Sequence, residues 1–334
     1  MTRVPSSVLL GEIRLFTVIM SRSLVAFAML IPVVSCSVLA PVDGFDERHG
    51  GATGGSANTG GTGADAGAAG MGGAGGAAGS AGAAGSPMWP GCDDCDGNLE
   101  ECWDSKLCVA KSVTVPVGFA IDKTEVTVKQ YAAWLSMSPT TEGQHPRCGW
   151  NDFKPTCAHD PTRLSHPVVC VDWCDAHAYC QAVGKRLCGK IDGGSLDFYD
   201  NYTSHAVSQW DHACSSGGLE LNYPYGNAFV EENCHFPNPP ADLPDAVASH
   251  PACQSSNDGY QGIFDLVGNA AEWEDSCLED HESPDSGTKD TCRARGLSFT
   301  TTPAKRTCSS GMELTREPGA LFQPVTGFRC CSDP

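Results

Sequence analysis

Nineteen cysteines in 334 residues constrain this chain more than any other feature. In a reducing compartment so many thiols would need metals or remain liabilities, so the count excludes an ordinary cytosolic protein and implies an oxidising compartment. Cys92, Cys95, Cys102 and Cys108 crowd into one short acidic stretch. Their spacing admits a zinc site, but in an exported chain two disulfides are the expected outcome. This knot, residues 91–110, follows a block at 37–90 whose stretch from about Gly44 to Ser86 is almost wholly Gly, Ala, Ser and Thr. With no periodic apolar face the block reads as a flexible tether. One main domain, residues 111–334, is left to fold. The formal charge of -19 argues against a nucleic-acid partner.

Residues 20–36 carry a short basic region, an apolar core and then small residues before a cysteine. That is the pattern of an export signal, since the apolar run is too short to span a bilayer. Val33-Val34-Ser35-Cys36 is similar to a bacterial lipobox, in which the cysteine is diacylated and becomes the new N-terminus. Residues 1–36 are then a lipoprotein signal peptide and Cys36 the membrane anchor, with ordinary cleavage after a small residue such as Ala40 as the alternative. Met20 stands where a signal would begin, so residues 1–19 need not be translated. Residues 1–35 hold Arg3, Arg14 and Arg22 against Glu12, and losing that net +2 takes the formal charge from -19 to -21. Lipidation of Cys36 also leaves 18 cysteines, an even number that can all pair.

Within the domain, a strand and turn at 118–125 precede Val126 to Leu135, where Val128, Tyr131 and Leu135 recur at helical spacing behind Thr127, a suitable N-cap. A second helix is expected from the N-cap Asp172 to the stop at Gly184. It places Trp173, Ala176, Tyr179 and Cys180 on one buried face and His177 off it, as a solvated surface histidine. Beyond Gly193 periodicity fades into turn-rich sequence and regular structure should be sparse.

The stretch G-Y-Q-G-I-F-D-L-V-G-N-A-A-E-W at 259–273 is an oxygen-rich loop between apolar residues. Asp265 and Glu272 offer carboxylates, and the small Gly268 and Ala270 leave their carbonyls free to face a cation, a mixture that suits calcium. A surface turn with solvated acids is the alternative reading.

This stretch resembles the G-L-Y-D-M-x-G-N-V-W-E-W signature of the formylglycine-generating enzyme, or sulfatase-modifying factor, family. Further landmarks follow the family's order: G-F-A-I-D-K-T-E-V-T at 118–127, H-P-V-V-C-V-D-W-C-D-A-H-A-Y-C at 166–180, G-K-R-L at 184–187, Y-P-Y-G-N at 223–227, R-G-L-S-F at 295–299 and G-F-R-C at 327–330. The resemblance covers about the last two thirds of the chain. It implies an irregular, disulfide-rich α+β fold similar to C-type-lectin-like domains, with structural calcium. It also implies bridges from Cys180 to Cys330 and from Cys214 to Cys308. A loop of about 150 residues closed in this way restricts the unfolded chain by on the order of 5 kcal/mol in the entropic account. Cys148 with Cys157 and Cys277 with Cys292 are expected local bridges, while Cys331 has no evident partner. A second calcium site is implied at Asn233 and the Cys234 carbonyl, with further ligands near Asp242 and Asp245; a disulfided loop with Asn233 in a turn is the alternative.

For an active member the resemblance implies oxidation of a sulfatase cysteine to formylglycine, with copper held by two cysteines, since paired thiolates select Cu(I). The matching run here, Ser298 to Cys308, contains no such pair, and the hydroxyls of Thr300, Thr301 and Thr302 cannot replace thiolates. Copper is therefore not expected. The related branch that makes carbon-sulfur bonds with iron needs an added helical domain and an H-x-x-x-E-x-H pattern, and neither fits. The expected function is that of a catalytically degenerate binding or scaffold module, a pseudoenzyme, held in the cell envelope in the periplasm or at the outer-membrane surface. The alternatives are an oxidoreductase of the same family acting on an exported protein or small thiol, and a calcium-dependent glycan binder.

Overall fold

Capping residues define the two longest helices among the described residues of the computed structural model, α1 (Val128–Ser136) and α2 (Trp173–Ala182). Thr127 Oγ1 accepts from Gln130 N (3.2 Å) while Gln130 Oε1 accepts from Thr127 N (3.0 Å), a reciprocal capping box. Asp172 and Asp175 repeat the arrangement at α2, at 2.8 and 3.1 Å. The structure describes residues 91–236, 243–282, 286–301, 307–317 and 325–333. The signal segment, Cys36 and the tether fall outside them.

The remaining elements are short, as the turn-rich sequence predicts. β1 (Glu100–Trp103) and β2 (Leu107–Ala110) form a hairpin from the acidic knot. β3 (Ser112–Thr114), β4 (Ala120–Asp122), β5 (Arg186–Leu187) and β10 (Cys330–Ser332) make a sheet in the order β3-β4-β10-β5. β6 (Ala271–Leu278), β7 (Thr291–Arg295), β8 (Gly311–Thr315) and β9 (Thr326–Gly327) make another in the order β8-β7-β6-β9, with β9 parallel to β6. α3 (Gln209–Cys214) is a single short turn of helix. The architecture is the irregular, disulfide-rich α+β fold expected.

Two large buried clusters, with a small third one of Val169, Cys170 and Ala270, form the core among the described residues. One joins Tyr131 and Trp134 of α1, Trp173 and Tyr179 of α2, Trp273 of β6 and Phe328. Trp173 Nε1 donates to the Glu274 carbonyl and Trp273 Nε1 to the Val171 carbonyl, both at 3.0 Å, so each indole satisfies its N–H across the helix–sheet contact. The second cluster gathers Phe119, Ile121, Trp210, Leu266 and Val267. Leu107 and Val109 of the knot pack into the first cluster, so the stapled hairpin is continuous with the domain core.

All 18 cysteines from Cys92 to Cys331 are bonded in nine disulfides. Cys180–Cys330, Cys214–Cys308 and Cys277–Cys292 form as expected. The knot closes through Cys92–Cys102 and Cys95–Cys108, which leaves no thiolate there for zinc. The expected bridge from Cys148 to Cys157 does not form. Cys148 lies on a 3-10 turn, Pro146–Cys148, and bonds Cys174 in the first turn of α2, leaving Cys157 to Cys170. Cys331 has a partner in Cys188. Successive residues of a strand face opposite sides. Cys330 on β10 therefore enters the first cluster toward α2, and Cys331 enters the second, where Cys188 follows β5.

His177 also departs from expectation. It is half-buried, stacked on Trp173 with ring centroids 4.7 Å apart, and 5.4 Å from the His145 ring. Burial, together with His145 and the Arg316 charge, holds its pKa down at about 4, so it is neutral at physiological pH.

Candidate functional site

The oxygen-rich loop leads directly into β6, and its backbone is bent by residues in left-handed conformations: Asp265 at φ 60°, Gly268 at φ 82° and Asn269 at φ 49°. Gly268 is required by contact as well as by dihedral. A Cβ there would lie 2.4 Å from the His235 carbonyl oxygen. That carbonyl accepts from Asn269 N at 3.1 Å, so the loop lies flush on the segment around Cys234. The Asn269 side chain ties two other parts of the chain, donating to Glu125 Oε1 (3.0 Å) and accepting from Asp245 N (2.9 Å).

Asp265 and Glu272 are brought together with Glu125 around the guanidinium of Arg329, all of them buried. Arg329 forks onto Glu272 at 2.6 and 2.7 Å, and Trp210 Nε1 donates to the same carboxylate at 2.8 Å. Its remaining donors reach the carbonyls of Asp122 (3.0 Å) and Phe264 (2.8 Å). Asp265 Oδ2 accepts from Ala248 N at 2.7 Å, and Glu125 Oε2 is buried with no hydrogen-bond partner. Three carboxylates face one guanidinium, so the ionised cluster carries a surplus of two negative charges. Burial pushes the Asp265 carboxyl up to about 6, with the Glu272 charge adding to it and the Ala248 N–H and Arg329 opposing. Burial first, then the Asp265 charge, raises Glu125 well above the usual range.

Carboxylates with main-chain carbonyls are donors of the chemical type that calcium takes, and the orphaned Glu125 oxygen and the raised Asp265 carboxyl mark the surplus negative charge that such a cation would cancel. Glu272, expected to supply the charged ligand, has both oxygens engaged by Arg329 and Trp210.

Asn233 and Cys234 occupy a neighbouring place. Asn233 closes a 3-10 turn, Glu231–Asn233, and Cys234 is bonded to Cys253. Asp245, an expected contributor of oxygen, faces His235 and His250 at 3.0 Å each. Asp242 lies outside the described residues.

The segment matching the copper run is held as structure. Cys308 is bonded to Cys214, and its carbonyl accepts from Arg295 Nη2 at 2.9 Å. Arg295 also pairs with Asp211 (3.1 Å) and Glu274 (3.3 Å) and lies 4.6 Å over the Trp210 ring. Ser298 and Thr300 hydrogen bond to each other at 2.9 Å, and 302–306 lie outside the described residues. A cavity of about 290 Å³ beside the bridge is lined by Cys308, His205, Asp211, Glu220 and Asn222, and its one sulfur is already oxidised.

Glu125, Asn269 and Arg329 were not among the expected site residues, although all three lie inside the motifs that carry the resemblance. Their signal was a charged or amide group embedded in an apolar run, T-E-V-T, G-N-A-A or G-F-R-C, because such groups are buried only when partnered.

The profile described as "Sulfatase-modifying factor enzyme 1-like domain" matches residues 91–334. The mouse formylglycine-generating enzyme is 25% identical over 195 residues, 51% of this chain and 45% of that protein. The bovine protein named inactive C-alpha-formylglycine-generating enzyme 2 is 29% identical over 180 residues, 51% of each chain. This chain thus spans about half the length of these two relatives. Among solved structures, PvdO from Pseudomonas aeruginosa is similar with a TM-score of 0.43 and 20% identity, over 74% of this chain and 90% of that one.

Proposed function

Since the chain belongs to the sulfatase-modifying factor enzyme 1-like domain family, we propose that it is a family member without copper chemistry, a disulfide-stapled binding or scaffold module of the cell envelope. One observation carries the reading. Every cysteine of the folded region is consumed in a disulfide, and Cys308, the single cysteine between Arg293 and Arg329, is bonded to Cys214. A Cu(I) centre needs a pair of soft thiolates, and hydroxyls at 300–302 do not supply them. Export and anchoring through a lipid on Cys36 agree with nine disulfides, which persist in oxidising compartments. Among the described residues no helix is long and apolar enough to cross a membrane. Calcium, held by Asp265, Glu125 and the loop carbonyls, serves it structurally by neutralising a buried negative cluster.

Counting thiols in the denatured, unreduced protein and mapping its peptides by mass spectrometry tests these points together. The expected result is no reactive thiol, a peptide linking Cys214 to Cys308, and a diacylated N-terminal Cys36. Two free thiols with Cys308 among them, together with stoichiometric Cu(I) binding and oxygen uptake, would restore the oxidase reading. An unmodified terminus downstream of Cys36 would refute the lipid anchor.

A further inference from the structure

The Cys234–Cys253 bridge closes a loop of 19 residues, and that loop brings together three side chains with metal-binding donors. His235 Nδ1 and His250 Nε2 each lie 3.0 Å from Asp245 Oδ2, the three donors lie within 4.8 Å of one another, and the two rings stack 5.7 Å apart. His235 is buried and also stacks on Phe299, so its ring is fixed in orientation. Its Nε2 is 3.3 Å from the Leu243 carbonyl, to which a neutral imidazole donates its N–H. In the tautomer that carries its proton on Nε2, the Nδ1 lone pair turns toward the Asp245 carboxylate oxygen 3.0 Å away, a position that a proton or a metal ion fills. A carbonyl that orients a histidine through its second nitrogen is the usual support of a metal-ligating imidazole.

The donors choose the type of ion. Two imidazoles and one carboxylate suit a borderline ion such as Zn²⁺, whereas calcium takes oxygens almost alone. Zinc sits about 2.0–2.1 Å from such donors, which places tetrahedral ligands roughly 3.4 Å apart. The two imidazole–carboxylate spacings of 3.0 Å therefore need to open by only about 0.4 Å, and all three donors already lie within 4.8 Å of one another. Three protein ligands leave a fourth position, and the triad lines a cavity of about 480 Å³ whose other walls include Glu231, Glu232 and Phe236. Among the described residues, the other cluster of comparable donors, Cys95, Glu100 and Cys108, has its two sulfurs bonded to each other.

We propose that His235, Asp245 and His250 bind one divalent transition ion of the zinc type, with an open coordination position facing this cavity. The site is separate from the calcium cluster in donor chemistry, and it stands whether or not the domain has lost its oxidase activity.

Calorimetric titration of the disulfide-intact chain with ZnCl₂, and in parallel with CaCl₂, tests the inference. One equivalent of zinc should bind, calcium in excess should not displace it, and Co²⁺ substituted at the site should show the visible bands of a low-coordinate ion. His250→Gln and Asp245→Asn should each weaken zinc binding at least tenfold and remove the Co²⁺ bands. Retention of the Cys234–Cys253 peptide and of the melting temperature in chelator establishes that each variant is folded. Zinc affinity unchanged in both folded variants, no zinc binding to the parent, or displacement of zinc by equimolar calcium would each overturn the proposal.

Discussion

Replacing Asp265 by asparagine should stabilise the metal-free protein at neutral pH and leave it unchanged at pH 4. The Asp265 carboxyl is 1% exposed and its pKa is raised from 3.8 to about 6, chiefly by burial. A raised folded-state pKa means the fold holds the proton more tightly than the unfolded chain does. The associated stability is complete below the unfolded pKa and is lost as pH rises through the folded one, here between about pH 4 and pH 6. At 1.36 kcal/mol per unit, the shift corresponds to roughly 3 kcal/mol, or about 6–12 °C in melting temperature for a domain of this size. Asparagine keeps an acceptor for the Ala248 N–H and removes the ionisation. Thermal melts in chelator from pH 4 to 7.5 should show the variant's advantage growing from zero to that magnitude. Added calcium should reverse the order at pH 7, because the parent gains binding energy in proportion to the logarithm of calcium over its dissociation constant. A pH-independent difference between variant and parent in chelator would refute the electrostatic reasoning. Equal response of both to calcium would refute Asp265 as a ligand.

Arg295→Met should cost about 3–5 kcal/mol, because it leaves the fully buried Glu274 and the almost fully buried Asp211 without their cation; urea denaturation measures it, and a loss under about 1 kcal/mol would mean the pair is dispensable. Replacing Cys188 and Cys331 together by alanine opens an effective loop of only about 9 residues, 8 from Cys180 to Cys188 and 1 from Cys330 to Cys331, because Cys180–Cys330 still ties the same ends, and should lower stability by about 2–3 kcal/mol in the entropic account. The same urea titration checks this, and a double variant as stable as the parent would show that β10 is held by packing alone.

Much of the local structure was legible because its signals act over a few residues. Thr127 and Asp172 announced α1 and α2 by their capping chemistry. The spacing of short polar runs beyond Gly193 announced sparse structure, and the cysteine count announced an oxidised core. The loop at 259–273 was visible as an oxygen-rich break between apolar residues, and the order of motifs fixed the family and two long-range bridges.

What the sequence did not determine was which groups meet across long separations. Cys148 is 9 residues from Cys157 but bonds Cys174, 26 residues away, because α2 packs its first turn against the 3-10 turn. Cys331 acquires Cys188 only because β10 inserts between β4 and β5, with alternate residues facing opposite clusters. Arg329 reaches Glu272 across 57 positions, and His235, Asp245 and His250 meet inside the loop that Cys234 and Cys253 close. Composition and capping are properties of neighbours along the chain. Charge pairing and metal geometry depend on distances of a few ångströms between side chains, and those distances exist only after the strands have been ordered in the sheets.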